Sequence, residues 1–152
     1  MAGARVGYAF GAAELVTNFE KIRNHFGMNR AAQAAAIAAL QDQAWLLQTV
    51  ANVTAARQKI SQIAEENGLC ALPSATNFVT IDCGRDGEYA RRVLSNLVAQ
   101  GVFVRMPFVS PQDRCIRISA GRERDLELFA QAAGDKSVEV GHQSRIERFG
   151  GI

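Results

Sequence analysis

Apolar positions recur along this chain at spacings that change several times, and each change marks an element. AGARVGYAFG, residues 2–11, crowds apolar and glycine positions around one arginine, the pattern of a buried strand running into a turn. Leu15, Phe19 and Ile22 then stand four and three apart, which predicts a helix over 12–24, and HFGMN at 25–29 breaks it. RAAQAAAIAALQD at 30–42 is rich in alanine, the strongest helix former, and has almost no polar side. A helix apolar all round wants protein on every face. A chain this small cannot supply that cover, so an exposed apolar patch is expected around residues 30–50.

From Gln43 to Asn67 the pattern is that of a long amphipathic helix, with Leu46, Val50, Val53, Ile60 and Ile63 in period and Arg57, Lys59, Glu65 and Glu66 toward water. Gly68 is the expected left-handed cap. A short strand at LCAL precedes NFVTIDC, 77–83, where Phe78, Thr80 and Asp82 alternate with Val79 and Ile81. Asp86 caps a helix to about Gln100, with Tyr89, Val93, Leu97 and Val98 inward. GVFVR and RCIRIS read as strands around the loop 106–113, and Glu123 to Ala133 as a last helix. The order from residue 69 predicts a compact α+β unit, a helix layer on a small sheet. The tail 134–152 lacks a period and reads as poorly ordered.

Composition narrows the function classes. The 152 residues are 48% hydrophobic and 21% charged, with net charge +2, which fits a soluble globular protein and argues against nucleic acid or an anionic membrane as partner. The longest apolar run, Ala34 to Leu40, falls short of the roughly 20 residues that span a bilayer. No charged-then-apolar leader opens the chain, so a cytoplasmic setting is expected. Cys70, Cys83 and Cys115 are widely spaced and far from His25 and His142, so neither a metal site nor a disulfide framework is expected. The three thiols read as small buried hydrophobes. Trp45, Phe10, Phe19 and Phe26 read as core or interface residues, and Ser110 and Ser119 lack the histidine–acid context of a nucleophile.

Three arginines at strand ends are the chemistry worth following: Arg5, Arg105 and Arg117. A guanidinium in an apolar strand is costly unless paired. Its planar fork suits a carboxylate or a phosphate. Asp82, Asp86, Asp113 and Glu123 are available as structural partners, and an anionic ligand is the alternative.

AGARVGYAFG, KIRNHFGMNRAAQAAAIAAL, NFVTID, GVFVRMP and CIRISAG together resemble the C-terminal part of a fold-type-I pyridoxal-phosphate aminotransferase, most like the histidinol-phosphate subgroup. The resemblance is collinear over about residues 1–133. It implies an α/β fold, with 1–42 belonging to a large cofactor-binding domain and 43–133 forming an interdomain helix and a small domain. It further implies a homodimer, or association with an N-terminal segment, and amino or keto acid substrates. Arg5 would hold the cofactor phosphate, Arg117 the substrate α-carboxylate, and Arg105 a substrate phosphate or second acidic group.

One departure matters. In such enzymes a serine–lysine pair just upstream of the R-x-G-Y arginine takes the cofactor covalently, and here that place falls before Met1. Lys21, Lys59 and Lys136 stand in no such context, so no catalytic residue is assigned. The expectation is a distal part of a transaminase, inactive alone. The alternative is a non-catalytic α+β module that binds a small carboxylate or phosphate, or serves as a dimerisation partner.

Overall fold

The structure is a computed structural model and describes residues 2–134. The chain divides into two compact units, Met1–Val50 and Ala51–Ile152.

In the first unit a short 3-10 turn at Ala2–Ala4 leads into irregular chain, then helices α1 (Ala13–Glu20) and α2 (Arg30–Gln41), and the start of α3 (Gln43–Glu66). The strand expected at 2–11 does not form. Arg5 takes φ 53°, a left-handed conformation that interrupts any extended run, and these residues have no strand partner among the described residues. Asn29 caps α2 by accepting from the Ala32 N–H at 2.7 Å. The Ile22 and Arg23 N–H groups both reach Phe19 O, so α1 tightens and stops short of the expected Asn24. Apolar exposure is extensive, as the pattern over 30–50 anticipates. Ile37, Leu40, Trp45, Leu46, Leu47 and Val50 are all exposed, and so are Phe10, Phe19 and Phe26, which therefore pack in no core among the described residues.

The second unit holds the core. A three-stranded antiparallel sheet, ordered β1 (Cys70–Ala71), β2 (Phe78–Asp82) and β3 (Cys115–Ser119), turns one face to helices. Val79 and Ile81 of β2 lie opposite Ile118 and Ile116 of β3, and all four are buried. They pack with Ile60 and Ile63 of α3, with Ala90 and Leu97 of α4 (Gly87–Ala99), and with Leu126 and Phe129 of α5 (Glu123–Ala133). Alternation along β2 thus does what a period of two requires: one face is dry and the other carries Phe78, Thr80 and Asp82. The core reaches back along α3 only to Ala56, which leaves Leu46 and Val50 exposed where the period had them inward. On α4, Val98 is likewise exposed, because the buried stripe runs through Ala90 and Leu97.

Local chemistry sets the ends of these helices. Gly68 takes φ 70°, and the N–H groups of Gly68 and Leu69 close on Glu65 O and Ala64 O, the cap expected for α3. Asp86 caps α4 by accepting from the Tyr89 N–H at 2.8 Å, again as expected. The Asp125 carboxylate accepts from the Arg122 N–H at 3.0 Å at the start of α5. GVFVR does not form a strand of its own. It touches β3 through a single bridge, Arg105 to Arg117. The expectation for the tail falls, but for Gly134, outside the described residues. No helix among the described residues is long and apolar enough to cross a membrane.

Gly87 is a point of close approach. A Cβ built there would stand 2.7 Å from Asp113 Cγ, nearer than packed atoms tolerate. Gly87→Ala is expected to destabilise the protein by about 1–3 kcal/mol. Urea melts check this, and the double variant Gly87→Ala/Asp113→Gly should recover most of the loss.

A candidate anion-binding site

Arg105 and Arg117 are brought together by backbone pairing. Arg117 N–H donates to Arg105 O at 2.7 Å, and Arg105 N–H donates to Arg117 O at 3.2 Å. Residues that exchange both bonds lie directly opposite and send their side chains to one face. Two like charges placed so repel each other. Neither guanidinium has an ion-pair partner among the described residues. Arg117 is half-buried and lies over the Phe78 ring, 4.6 Å from its centre, while Arg105 is exposed. The ring attracts the Arg117 guanidinium without neutralising it. Both arginines line an open groove of about 580 Å³. An anion held by both forks would relieve that repulsion.

Arg5 lies in the first unit, exposed. Of the acids available as partners, Asp82 is taken by another arginine: Arg114 Nε donates to Asp82 Oδ1 at 2.8 Å. That pair joins the end of β2 to the chain entering β3. Nothing in the residue pattern announced it, because it depends on the register that sets Asp82 opposite Cys115. The Phe78 stack was hidden for the same reason.

Residues 1–132 match the family model described as aminotransferase class I and II. The chain belongs to that family. The histidinol-phosphate aminotransferase of Moorella thermoacetica is 32% identical over 132 residues, covering 87% of this chain and 33% of that protein. The Bacillus licheniformis histidinol-phosphate aminotransferase is 36% identical over 129 residues, covering 85% of this chain and 35% of that protein. Among solved structures, the histidinol-phosphate aminotransferase of Sinorhizobium meliloti, in complex with pyridoxal-5'-phosphate, aligns with TM-score 0.84 at 46% identity, over 92% of this chain and 38% of that one. The chain thus spans about a third of the length of the curated relatives it matches, and its fold is that of a class I and II aminotransferase.

Titration in this chain follows from its contacts. The hydrogen bond from Arg114, and after it that from the Gly84 N–H, hold the Asp82 carboxyl below its ordinary value. Stability from a carboxyl so depressed is present above its unfolded pKa of about 4 and is lost as pH falls through the folded value. Asp82→Asn should therefore flatten the acid limb of the pH–stability curve, read by urea melts below about pH 5.

Burial pushes the Cys83 thiol up to about 12 and raises Cys115 as well. Cys70 departs from the expectation of three buried thiols, because β1 is a short edge strand and leaves it exposed. In the native chain Cys70 alone should react promptly with a maleimide, with Cys83 and Cys115 following only in denaturant. Mass spectrometry of the labelled peptides reads this.

Proposed function

We propose that these residues supply the anion-binding part of a pyridoxal-phosphate-dependent amino-group transfer of the histidinol-phosphate aminotransferase type. Arg117 grips the carboxylate of an amino or keto acid, and Arg105 grips a second acidic group or a phosphate. The observation that carries this reading is the facing pair itself: two arginines on one backbone bridge, neither of them in an ion pair among the described residues. Arg5 is the contact proposed for the cofactor phosphate.

The residues present fit that cofactor only at its phosphate. Its reacting end needs a lysine, and Lys21, Lys59 and Lys136 follow Glu20, Gln58 and Asp135, never a serine. Lys21 Nζ donates to Asn18 Oδ1 at 2.8 Å on the exposed side of α1, and Lys59 is exposed on α3. No step of the reaction is therefore assigned to these 152 residues, and on their own they bind without turning over. The exposed apolar side chains from Ile37 to Val50 support assembly with a second copy or with an N-terminal segment that carries the lysine.

The test supplies the purified 152 residues with pyridoxal phosphate, glutamate and a keto acid. The expected result is saturable binding of the acids, with transamination no faster than that of free cofactor. Turnover above that level, or no binding of any acid, overturns the reading.

A further inference from the structure

Arg117 has an acid of its own chain within reach. Phe78, Thr80 and Asp82 share the open face of β2, and Arg117 on β3 stands opposite Thr80. Phe78 and Asp82 are therefore its diagonal neighbours, at about 7–8 Å between Cα atoms and reachable by a long side chain. Asp82 is the only acid in either strand. Both Asp82 and Arg117 are half-buried, so an ion pair between them would be screened less than one at the open surface. Such a pair would compete with any ligand anion for the guanidinium. Arg117 instead lies over the Phe78 ring, 4.6 Å from its centre.

Asp82 is held by other groups. Arg114 closes a 3-10 turn, Gln112–Arg114, just before β3, and from there its Nε donates to Asp82 Oδ1 at 2.8 Å. The Gly84 N–H donates to the same oxygen at 2.8 Å. The Arg114 backbone is tied as well, because its carbonyl accepts from the Cys83 N–H at 3.1 Å. By register, both donors lie past Asp82, on the side away from Arg117.

We propose that Arg114 is a guard: it keeps Asp82 from closing on Arg117, and so leaves the Arg117 guanidinium available to a ligand anion. Arg114 is then a positioning residue, which acts through Asp82 and touches no ligand. Its use to the protein rests on the reading of Arg117 as an anion contact. The signature of a guard is that the Asp82 carboxylate does no harm while Arg114 is present and inhibits once Arg114 is gone.

The experiment is a double-mutant cycle on the 152-residue chain: native, Asp82→Asn, Arg114→Gln and the double variant, each titrated with glutarate by calorimetry. Asp82→Asn alone should bind within about twofold of native, since the carboxylate it removes is already engaged. Arg114→Gln should weaken binding about three- to tenfold, because the freed Asp82 must first be displaced from Arg117. The double variant should return to within about twofold of native, so the effect of Asp82→Asn depends on Arg114.

An equal effect of Asp82→Asn in both backgrounds shows two charges acting independently on the anion, and overturns the guard. A loss of more than about threefold in Asp82→Asn alone shows a pair that merely braces the sheet, and overturns it even if Arg114→Gln does not fold. The Arg117 Nε–H signal in nuclear magnetic resonance is a second readout that needs no ligand. It should shift in Arg114→Gln and return in the double variant, and a signal unmoved in Arg114→Gln overturns the guard. If glutarate does not bind the native chain the clamp falls, and the Arg117 signal alone then decides whether Arg114 holds Asp82 off.

Discussion

Arg117→Gln is expected to lower the affinity of the chain for a small dicarboxylate by about 10- to 100-fold, while changing stability by under about 1 kcal/mol. Hydrogen bonds to a charged group contribute about 1.5–3 kcal/mol each, and a factor of ten is about 1.4 kcal/mol. Arg117 is half-buried against the Phe78 ring, so its charge is less screened than one at the open surface. Arg105 is exposed, and Arg105→Gln should cost less, under about tenfold. Lysine at position 117 should not restore binding, since a point charge does not replace the planar fork. Calorimetric titration with glutarate checks all three variants. Stability should hardly change because the substitution also removes the repulsion between two facing cations.

The largest effect on stability is expected from Ile81→Ala. Ile81 is fully buried in β2, opposite Ile116 of β3, which is fully buried as well. Removing its outer carbons at the centre of the core loses their transfer free energy and leaves a cavity, together about 2–5 kcal/mol. Natural domains hold only about 5–15 kcal/mol in reserve. For a unit of this size the midpoint of thermal unfolding should fall by at least about 10 °C. Scanning calorimetry reads it. Val98→Ala, on the exposed side of α4, should leave the midpoint within a few degrees by the same measure.

What could be read from the residue order follows from how local each signal is. α2 is declared by its alanine content, and α3 and α4 by period and caps within a few residues, as with Asp86 before α4 or Gly68 after α3. β2 alternates over its own length, so its dry face was visible in Val79 and Ile81, whereas β3 buries both Cys115 and Ile116. Apolar runs that depend on distant partners misled. The stretch 2–11 has strand composition, yet a strand exists only against a neighbour, and Arg5 turns left-handed there instead. GVFVR keeps one bridge of a whole strand for a similar reason.

At the site, Arg105 and Arg117 were visible one at a time as cations in apolar surroundings. Their placement opposite each other comes from the register of the chain after α4 against β3, which no local pattern encodes. The same holds for Arg114, whose capture of Asp82 removes the acid best placed to neutralise the sheet's open face.

One measurement bears most directly on the clamp: following the Nε–H signals of Arg105 and Arg117 by nuclear magnetic resonance while glutarate is added. Both signals should move together and saturate with a single Kd, while that of Arg92, already bonded to Glu88, stays in place. Signals of Arg105 and Arg117 that move no further than that of Arg92, or that move independently of each other, would contradict the account.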